Sequence, residues 1–136
     1  MRCGDVISIF DYEFGDGSKS DSKYFVVMGH HQNMAVGFLT TSKEKLGRKR
    51  SEGCHSDQTD WLPSNFYLKT PGAPFSSGTW VLLCVETQNV TVLQQKLREG
   101  KAVRVHTFAD HHVRALRNCF ERSMDWAPVC ATYMCP

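Results

Sequence analysis

A cationic side chain and a row of hydroxyls stand at the two ends of one apolar stretch of the sequence. Lys23 opens the apolar run KYFVVM, and Thr40, Thr41 and Ser42 close the run AVGFLTTS. The polar stretch Gly29–Asn33 separates the two runs, so they are expected to pair as antiparallel strands. Such a hairpin brings the lysine opposite the hydroxyls, and a cleft of this kind could hold a phosphate.

The chemistry that suits these residue types is phosphodiester recognition. RNA is cleaved through its own 2′-hydroxyl when a base, an acid for the leaving oxygen, and donors or cations at the developing charge are present. Lys23 together with Thr40 or Thr41 can supply the last two. Threonines at a strand end also satisfy backbone groups, and an exposed lysine can simply solvate a sheet edge, so both interpretations stay open.

A basic cluster follows the hydroxyls. Its members, opposed only by Glu44, are Lys43, Lys45, Arg48, Lys49 and Arg50. Clustered Lys and Arg gain affinity for a nucleic-acid backbone by releasing counterions, although a solvated surface loop has the same composition. The net charge of +2 is too small to indicate a nucleic-acid binder by itself. With Lys19 and Ser42, the cluster forms the predicted RNA-binding set.

Histidines are the other candidates for acid and base chemistry. His30 and His31 lie in the predicted turn, where they could provide a general base, and His111 and His112 begin a predicted helix. Solvent-facing histidines are common at both kinds of position. No H-E-x-x-H, Walker, G-x-S-x-G or Rossmann glycine pattern is present, which disfavours metalloprotease, nucleotide-binding and hydrolase classes.

The six cysteines show no C-x-x-C pair and no regular spacing, so we expect free structural thiols rather than a disulfide framework. Cys130 and Cys135 could pair with each other, or bind metal with His55 or His106, but the spacing demands neither. The sequence therefore predicts no metal and no cofactor.

Length and composition indicate one ordinary globular domain. The chain has 136 residues, of which 41% are hydrophobic and 22% charged. No stretch approaches the roughly 20 apolar residues of a membrane span, and the start MRCGDVISIF has no signal-like apolar core. We expect a soluble cytoplasmic protein without a membrane partner.

Short strands come first in the pattern and helices late. Predicted strands are Asp5–Phe10, Tyr24–Met28, Val36–Thr41, a short one that starts at about Trp61 and includes Leu62 and Phe66–Leu68, Thr79–Glu86 and Val103–His106. A helix is predicted at Thr91–Glu99, ended by Gly100, and another begins at a Thr107/Asp110 capping box. The second helix runs to about Ser123, with a core stripe of Val113, Leu116, Phe120 and Met124.

This order predicts an α+β fold, a small curled antiparallel sheet or barrel with helices packed on it. Residues 1–126 form the expected single domain, with a mobile basic loop at about 42–60 and a loose tail at 127–136. The turn-rich segment 14–22 is expected to be a second mobile loop.

The same order of features resembles the MazF/PemK-like family of toxins. Gly4-Asp5-Val6 matches the family's opening G-D, Lys23–Val27 lies where the family has R-P-A-x-V, and Thr40–Ser42 lies where it has its T-S strand end. The resemblance covers roughly Gly4–Met124. Lys23 stands where the family has an arginine, and Tyr24 where it has a proline. Lysine keeps the charge but lacks the bidentate fork that grips phosphate oxygens.

What the resemblance implies is a small SH3-like antiparallel β-barrel, usually dimeric, that cuts single-stranded RNA without metal and is blocked by an antitoxin protein. Lys23, Thr40 and Thr41 would then be the catalytic residues, and a homodimer would be expected. The alternative is a non-catalytic SH3-like barrel that binds RNA or a protein partner, with Tyr12, Tyr24 and Trp61 as exposed anchors.

Overall fold

The computed structural model describes residues 1–41, 52–56, 64–69, 72, 74–75, 78–123 and 125–135. Its strands are β1 (Asp5–Phe10), β2 (Ser22–His31), β3 (Met34–Thr41), β4 (Gly53–His55), β5 (Asn65–Leu68), β6 (Thr79–Leu82), β7 (Glu86–Asn89) and β8 (Ala102–Thr107). The helices are α1 (Val90–Arg98) and α2 (Asp110–Glu121), followed by a 3₁₀ helix at Pro128–Thr132. Within the described ranges, no helix is long and apolar enough to cross a membrane.

The strands form one eight-stranded antiparallel sheet in the order β4-β5-β6-β3-β2-β1-β8, with β7 paired to β3 beside this path. The predicted α+β class is confirmed. Strand β3 has two partners along one edge, because β7 pairs with Met34–Gly37 and β6 with Thr40 and Thr41. The register shifts by two residues between these pairings, so the chain from β6 to β7 must bend.

That bend divides the predicted strand Thr79–Glu86 in two. The apolar sequence predicts that Trp80–Val85 are all core residues, but Cys84 and Val85 are exposed where the chain leaves β6. β7 then pairs with the first half of β3 in a register two residues away from that of β6. By contrast, β1 has the predicted bounds, and β3 begins two residues earlier than predicted. β2 has ten residues instead of the predicted five, so His30 and His31 end this strand and do not lie in the turn as predicted.

Each face of the sheet carries its own apolar core, because residues alternate between the faces along each strand. The α2 core lies on one face, and it includes Val26, Met28, Phe38, Leu116 and Phe120. The α1 core lies on the other, and it includes Ile7, Ile9, Tyr12, Phe25, Val27, Leu39 and Leu93. These cores fix which strand residues can share a site.

Gly4 and Asp5 are held at the start of β1 by structural contacts. Gly4 has a φ of +92°, and a Cβ there would lie 2.9 Å from the Phe108 carbonyl oxygen. The Asp5 carboxylate is buried and accepts hydrogen bonds from the Arg2 amide at 2.8 Å and the Thr107 hydroxyl at 3.0 Å. The G-D pair is therefore explained by packing and hydrogen bonding.

The helix boundaries lie close to their predicted positions, but one of the predicted caps is wrong. In α1 the Asn89 side chain accepts from the Val92 amide at 3.0 Å, and Gly100 follows the helix with a φ of +75°. The predicted Thr107/Asp110 capping box is wrong, because the N-cap of α2 is Ala109 and no side chain caps it. The Thr107 hydroxyl instead donates to the buried Asp5 carboxylate. An unsatisfied acceptor costs more free energy in the protein interior than at a helix end that water can reach.

Two disulfides contradict the expectation of free structural thiols. Cys54 of β4 is bonded to Cys119 of α2, with Cα atoms 5.5 Å apart. Cys3 is bonded to Cys135, with Cα atoms 6.3 Å apart, so the suggested Cys130–Cys135 pair is also wrong. Cys84 and Cys130 are free, the former exposed and the latter buried.

The tail beyond residue 126, expected to be loose, is docked on the molecule. The Cys135 amide donates to the Met28 carbonyl at 2.7 Å, and Arg117 of α2 donates to the Cys135 carbonyl at 2.9 Å. Buried Cys130 and Met134 belong to the α2 core. Apolar burial and the Cys3 disulfide together explain why this segment packs rather than frays.

The two expected mobile loops have different outcomes. Residues 14–22 continue the β1–β2 hairpin. Glu13 and Lys19 form an isolated β-bridge, and the Ser20 amide donates a hydrogen bond of 2.9 Å to the Tyr12 carbonyl oxygen. Of the basic loop at about 42–60, only residues 52–56 are described, and Gly53–His55 form β4. The rest of that loop lies outside the described residues.

Candidate functional site

Lys23 and Thr41 lie on one face of the sheet by the alternation of strand residues. The pairing of β2 with β3 ends at Phe25 and Leu39, so Lys23 and Thr41 each lie two residues beyond the last pair of the two strands. Both belong to the alternating set that faces the α1 core. Lys23 is half-buried beside Ile9 and forms no ion pair with any described residue. The two residues thus share a sheet face, and their direct juxtaposition stays a prediction.

Thr40 is on the opposite face and cannot join them. Its neighbours in the alternation, Val36 and Phe38, belong to the α2 core, and Thr40 itself is only 5% exposed. The Thr40 hydroxyl oxygen has no hydrogen-bond partner among the described residues. Since consecutive strand residues point to opposite faces, Thr40 does not share a face with Lys23 and Thr41, and its catalytic role stays a prediction.

An aromatic pair extends the row that starts at Lys23 and Thr41. Thr41 is directly opposite Trp80 of β6, and Trp80 is directly opposite Tyr67 of β5. The two rings have centroids 4.7 Å apart, with Trp80 buried and Tyr67 half-buried. A cation, a hydroxyl and two aromatic rings thus follow one another across four strands. The aromatic members were not part of the predicted site.

The predicted RNA-binding set is placed only in part. Lys19 is exposed in the β1–β2 hairpin, four residues before Lys23 along the chain. The remaining members lie outside the described residues, and they are Ser42, Lys43, Lys45, Arg48, Lys49 and Arg50.

A second polar feature on the same face was missed by the sequence-based prediction. The Tyr12 hydroxyl lies within hydrogen-bonding reach of the Glu86 carboxylate and of the Gln88 side chain. Burial, followed by the negative charge of Glu86, raises the pKa of Tyr12 to about 12. Burial also raises the pKa of the Glu86 carboxyl, which the hydrogen bond from Tyr12 partly offsets. Nothing in the local sequence signals this contact, because Tyr12 and Glu86 are far apart in the sequence and come together only when the β1–β2 hairpin packs against β7.

The proposed aromatic anchors are not an exposed set. Tyr12 is 1% exposed and belongs to the α1 core. Tyr24 is half-buried, with its ring 5.2 Å from that of Phe75. Trp61 lies outside the described residues. The expectation that Tyr12 is a surface anchor is wrong.

The histidines are distant from the Lys23 and Thr41 pair. His30 and His31 end β2, seven or eight residues from Lys23, which is roughly 25 Å of strand. A separate group surrounds Phe108, where the His106 and His112 rings lie 5.1 and 6.0 Å from its ring. Burial lowers the pKa of His112, and His111 adds to this effect. Among the described residues, no three His, Cys, Asp or Glu side chains are placed to hold a metal ion.

Comparison of the chain with protein-family models, curated proteins and solved structures finds no match.

Proposed function

We propose that the protein is an endoribonuclease that cleaves single-stranded RNA through the RNA's own 2′-hydroxyl. The observation that supports this proposal is that Lys23 and Thr41 belong to one sheet face, each two residues beyond the last β2–β3 pair, Phe25 with Leu39. An ammonium and a hydroxyl at adjacent strand ends can contact two oxygens of one phosphate. The half-buried position of Lys23 strengthens such a contact, since charges interact more strongly where water is partly excluded.

The proposed chemistry needs no protein nucleophile. The 2′-oxygen bonds to phosphorus as the bond from phosphorus to the 5′-oxygen breaks, its proton passes to a base, and the 5′-oxygen takes up a proton. Lys23 stabilises the charge that develops on the phosphate oxygens, and the Thr41 hydroxyl donates a hydrogen bond to one of them. The products are a 2′,3′-cyclic phosphate and a 5′-hydroxyl.

The proposal includes the MazF/PemK-like relationship and an SH3-like barrel. Support comes from the bent sheet: residues of β1, β2, β3, β5 and β6 all contribute to the α2 core, as the wall of a curled sheet would. In this proposal the chain acts in the cytoplasm as a homodimer, and an antitoxin protein covers the Lys23 face.

The proposal is tested by incubating single-stranded RNA with the purified protein in EDTA, beside Lys23→Ala and Thr41→Ala. We expect cleavage by the wild type, and a loss of about 100-fold or more on removing Lys23, since one transition-state contact of this kind is worth 10²–10³. Arg114→Ala is the matched control. Arg114 is an exposed cation on α2, on the opposite side of the sheet, so its removal should leave the rate unchanged.

If wild type and variants all leave the RNA intact while remaining folded, the nuclease proposal fails. Intact RNA that nevertheless binds in a Lys23-dependent manner would favour the alternative of a non-catalytic RNA-binding barrel.

A further inference from the structure

A polar cleft of about 320 Å³ lies where the tip of the β1–β2 hairpin meets β7 and α1. Its walls are formed by Tyr12, Glu13, Phe14, Gly15, Glu86, Thr87, Gln88, Val92 and Lys96. The volume exceeds that of a single planar base and falls at the small end of ligand pockets. An open groove of about 420 Å³ along α1 shares Val92 and Lys96 with the cleft. A chain-like ligand could therefore enter the cleft and continue along the helix.

The hydrogen-bonding groups in the cleft are pre-positioned. Tyr12 is 1% exposed, and its hydroxyl lies within hydrogen-bonding reach of Glu86 and Gln88, which line the same cleft from alternate positions of β7. The Tyr12 phenol can use only part of the hydrogen-bonding capacity of Glu86 and Gln88. The Glu86 carboxylate therefore keeps acceptor sites for a ligand, and the Gln88 amide keeps both an acceptor and a donor. The cleft thus presents mainly acceptors to a ligand.

Two further walls suit a nucleotide. Phe14 is half-buried, with its ring edge-on to Tyr12 at 5.1 Å, so part of its surface is available to a flat apolar ring. Lys96 of α1 is at the rim and forms no ion pair with any described residue. Proteins bind single-stranded nucleic acids by stacking aromatic side chains on the bases and by placing cationic side chains against the phosphate backbone.

The cleft and the Lys23 and Thr41 pair share one sheet face but are separated along it. Glu86 is opposite Gly37, four residues before Thr41, which is roughly 13 Å of strand. This distance is too long for Glu86 to act on a phosphate held at Lys23. It suits a neighbouring nucleotide of the same strand.

We propose that this cleft is a base-binding subsite for single-stranded RNA, selecting a base with an exocyclic amino group, adenine or cytosine, over uracil. The subsite rests on the proposed function, since it takes its ligand from the strand bound at Lys23. An amino group donates to the Glu86 carboxylate, as carboxylates accept from cytosine N4, and the Gln88 amide pairs with the adjacent ring nitrogen. Uracil has a carbonyl oxygen at the position of the amino group. This oxygen is an acceptor and would face the Glu86 carboxylate, which is also an acceptor.

The test is equilibrium binding of short fluorescent oligoadenylate, oligocytidylate and oligouridylate, made with 2′-O-methyl sugars so that they are not cleaved. We expect the wild type to bind the adenylate and cytidylate about 10-fold more tightly than the uridylate. Glu86→Gln replaces an acceptor-only group by an amide that also donates, and Gln88→Ala removes the second contact. Either variant should reduce the preference to about 2-fold or less.

Gln94→Ala is the matched control for the glutamine, since Gln94 is exposed on α1 outside the cleft, and it should keep the full preference. Lys23→Ala should weaken all three probes alike. Equal wild-type affinities, or a preference that survives both cleft variants, would overturn the subsite but leave Lys23-dependent RNA binding standing. If none of the three probes binds, the proposed function and the subsite both fail.

Discussion

Lys23 illustrates how far residue types alone predict a site. Its presence on the same face as Thr41 follows from strand alternation and the β2–β3 hairpin, both of which the sequence pattern contains. The separation of Thr40 from them follows from the same alternation, and it matters because both sheet faces are covered by a core. Tyr12 and Glu86 could not have been joined from the sequence, because 74 positions separate them and their contact depends on how the hairpin tip folds over β7.

The Tyr12 phenol provides a test at the scale of one residue. Its pKa is raised from 10.0 to about 12, mainly by burial and then by Glu86. A raised pKa of an acid means that the folded state favours the neutral form. Its contribution to stability is therefore complete below pH 10 and is lost as the pH rises towards 12. The difference in phenolate absorbance between wild type and Tyr12→Phe should titrate near pH 12.

A difference titration centred near pH 10 would show that Tyr12 is open to water and not held by Glu86. The Tyr12→Phe protein should also lose less stability than the wild type between pH 10 and 12, as measured by urea unfolding.

At the scale of elements, the bounds of β1 and the approximate positions of β2, β3, α1 and α2 were predictable from local periodicity. The break between β6 and β7 was not, because the run TWVLLCVE is apolar throughout and its bend is imposed by the two partners of β3. The α2 cap was mispredicted for a related reason. Thr107 is drawn to Asp5, which is 102 residues away in the sequence.

Gly37 provides a test at this scale, since β3 is the strand to which β2, β6 and β7 all pair. A Cβ at Gly37 would overlap the Val26 carbonyl oxygen and approach the Phe25 ring to 2.9 Å. Gly37→Ala should therefore lower the free energy of unfolding by about 1–3 kcal/mol or more, as overpacking does. Denaturant unfolding measures this change.

Gly15→Ala is the control, because nothing lies within 4 Å of a Cβ added at Gly15. The packing at β3 would be misassigned if both alanine variants had the same stability within about 0.5 kcal/mol.

The whole molecule is tied by two covalent links that the spacing of the cysteines did not reveal. Cys54–Cys119 joins β4 to α2 across 65 positions, and Cys3–Cys135 joins the two ends of the chain across 132. Proximity of this kind is a property of the fold. Disulfides are typical of oxidising compartments, so the cytoplasmic location stays a prediction.

Thiol titration tests these links directly. The unfolded, unreduced protein should contain two reactive thiols, Cys84 and Cys130, and in the native state only exposed Cys84 should react quickly. After reduction all six cysteines should react. Loss of each disulfide should lower the free energy of unfolding by about 2–5 kcal/mol. Six reactive thiols before reduction would contradict both pairings.

The most direct test of the central claim, that Lys23 and Thr41 direct RNA cleavage through the 2′-hydroxyl, is the chemical identity of the RNA ends left by the protein in EDTA. The account predicts 2′,3′-cyclic phosphate and 5′-hydroxyl ends from the wild type. It also predicts no such ends from Lys23→Ala, or from a strand whose nucleotide at the cleavage position is 2′-deoxy. Intact RNA with the folded wild type, or the same products from Lys23→Ala at an unchanged rate, would contradict it.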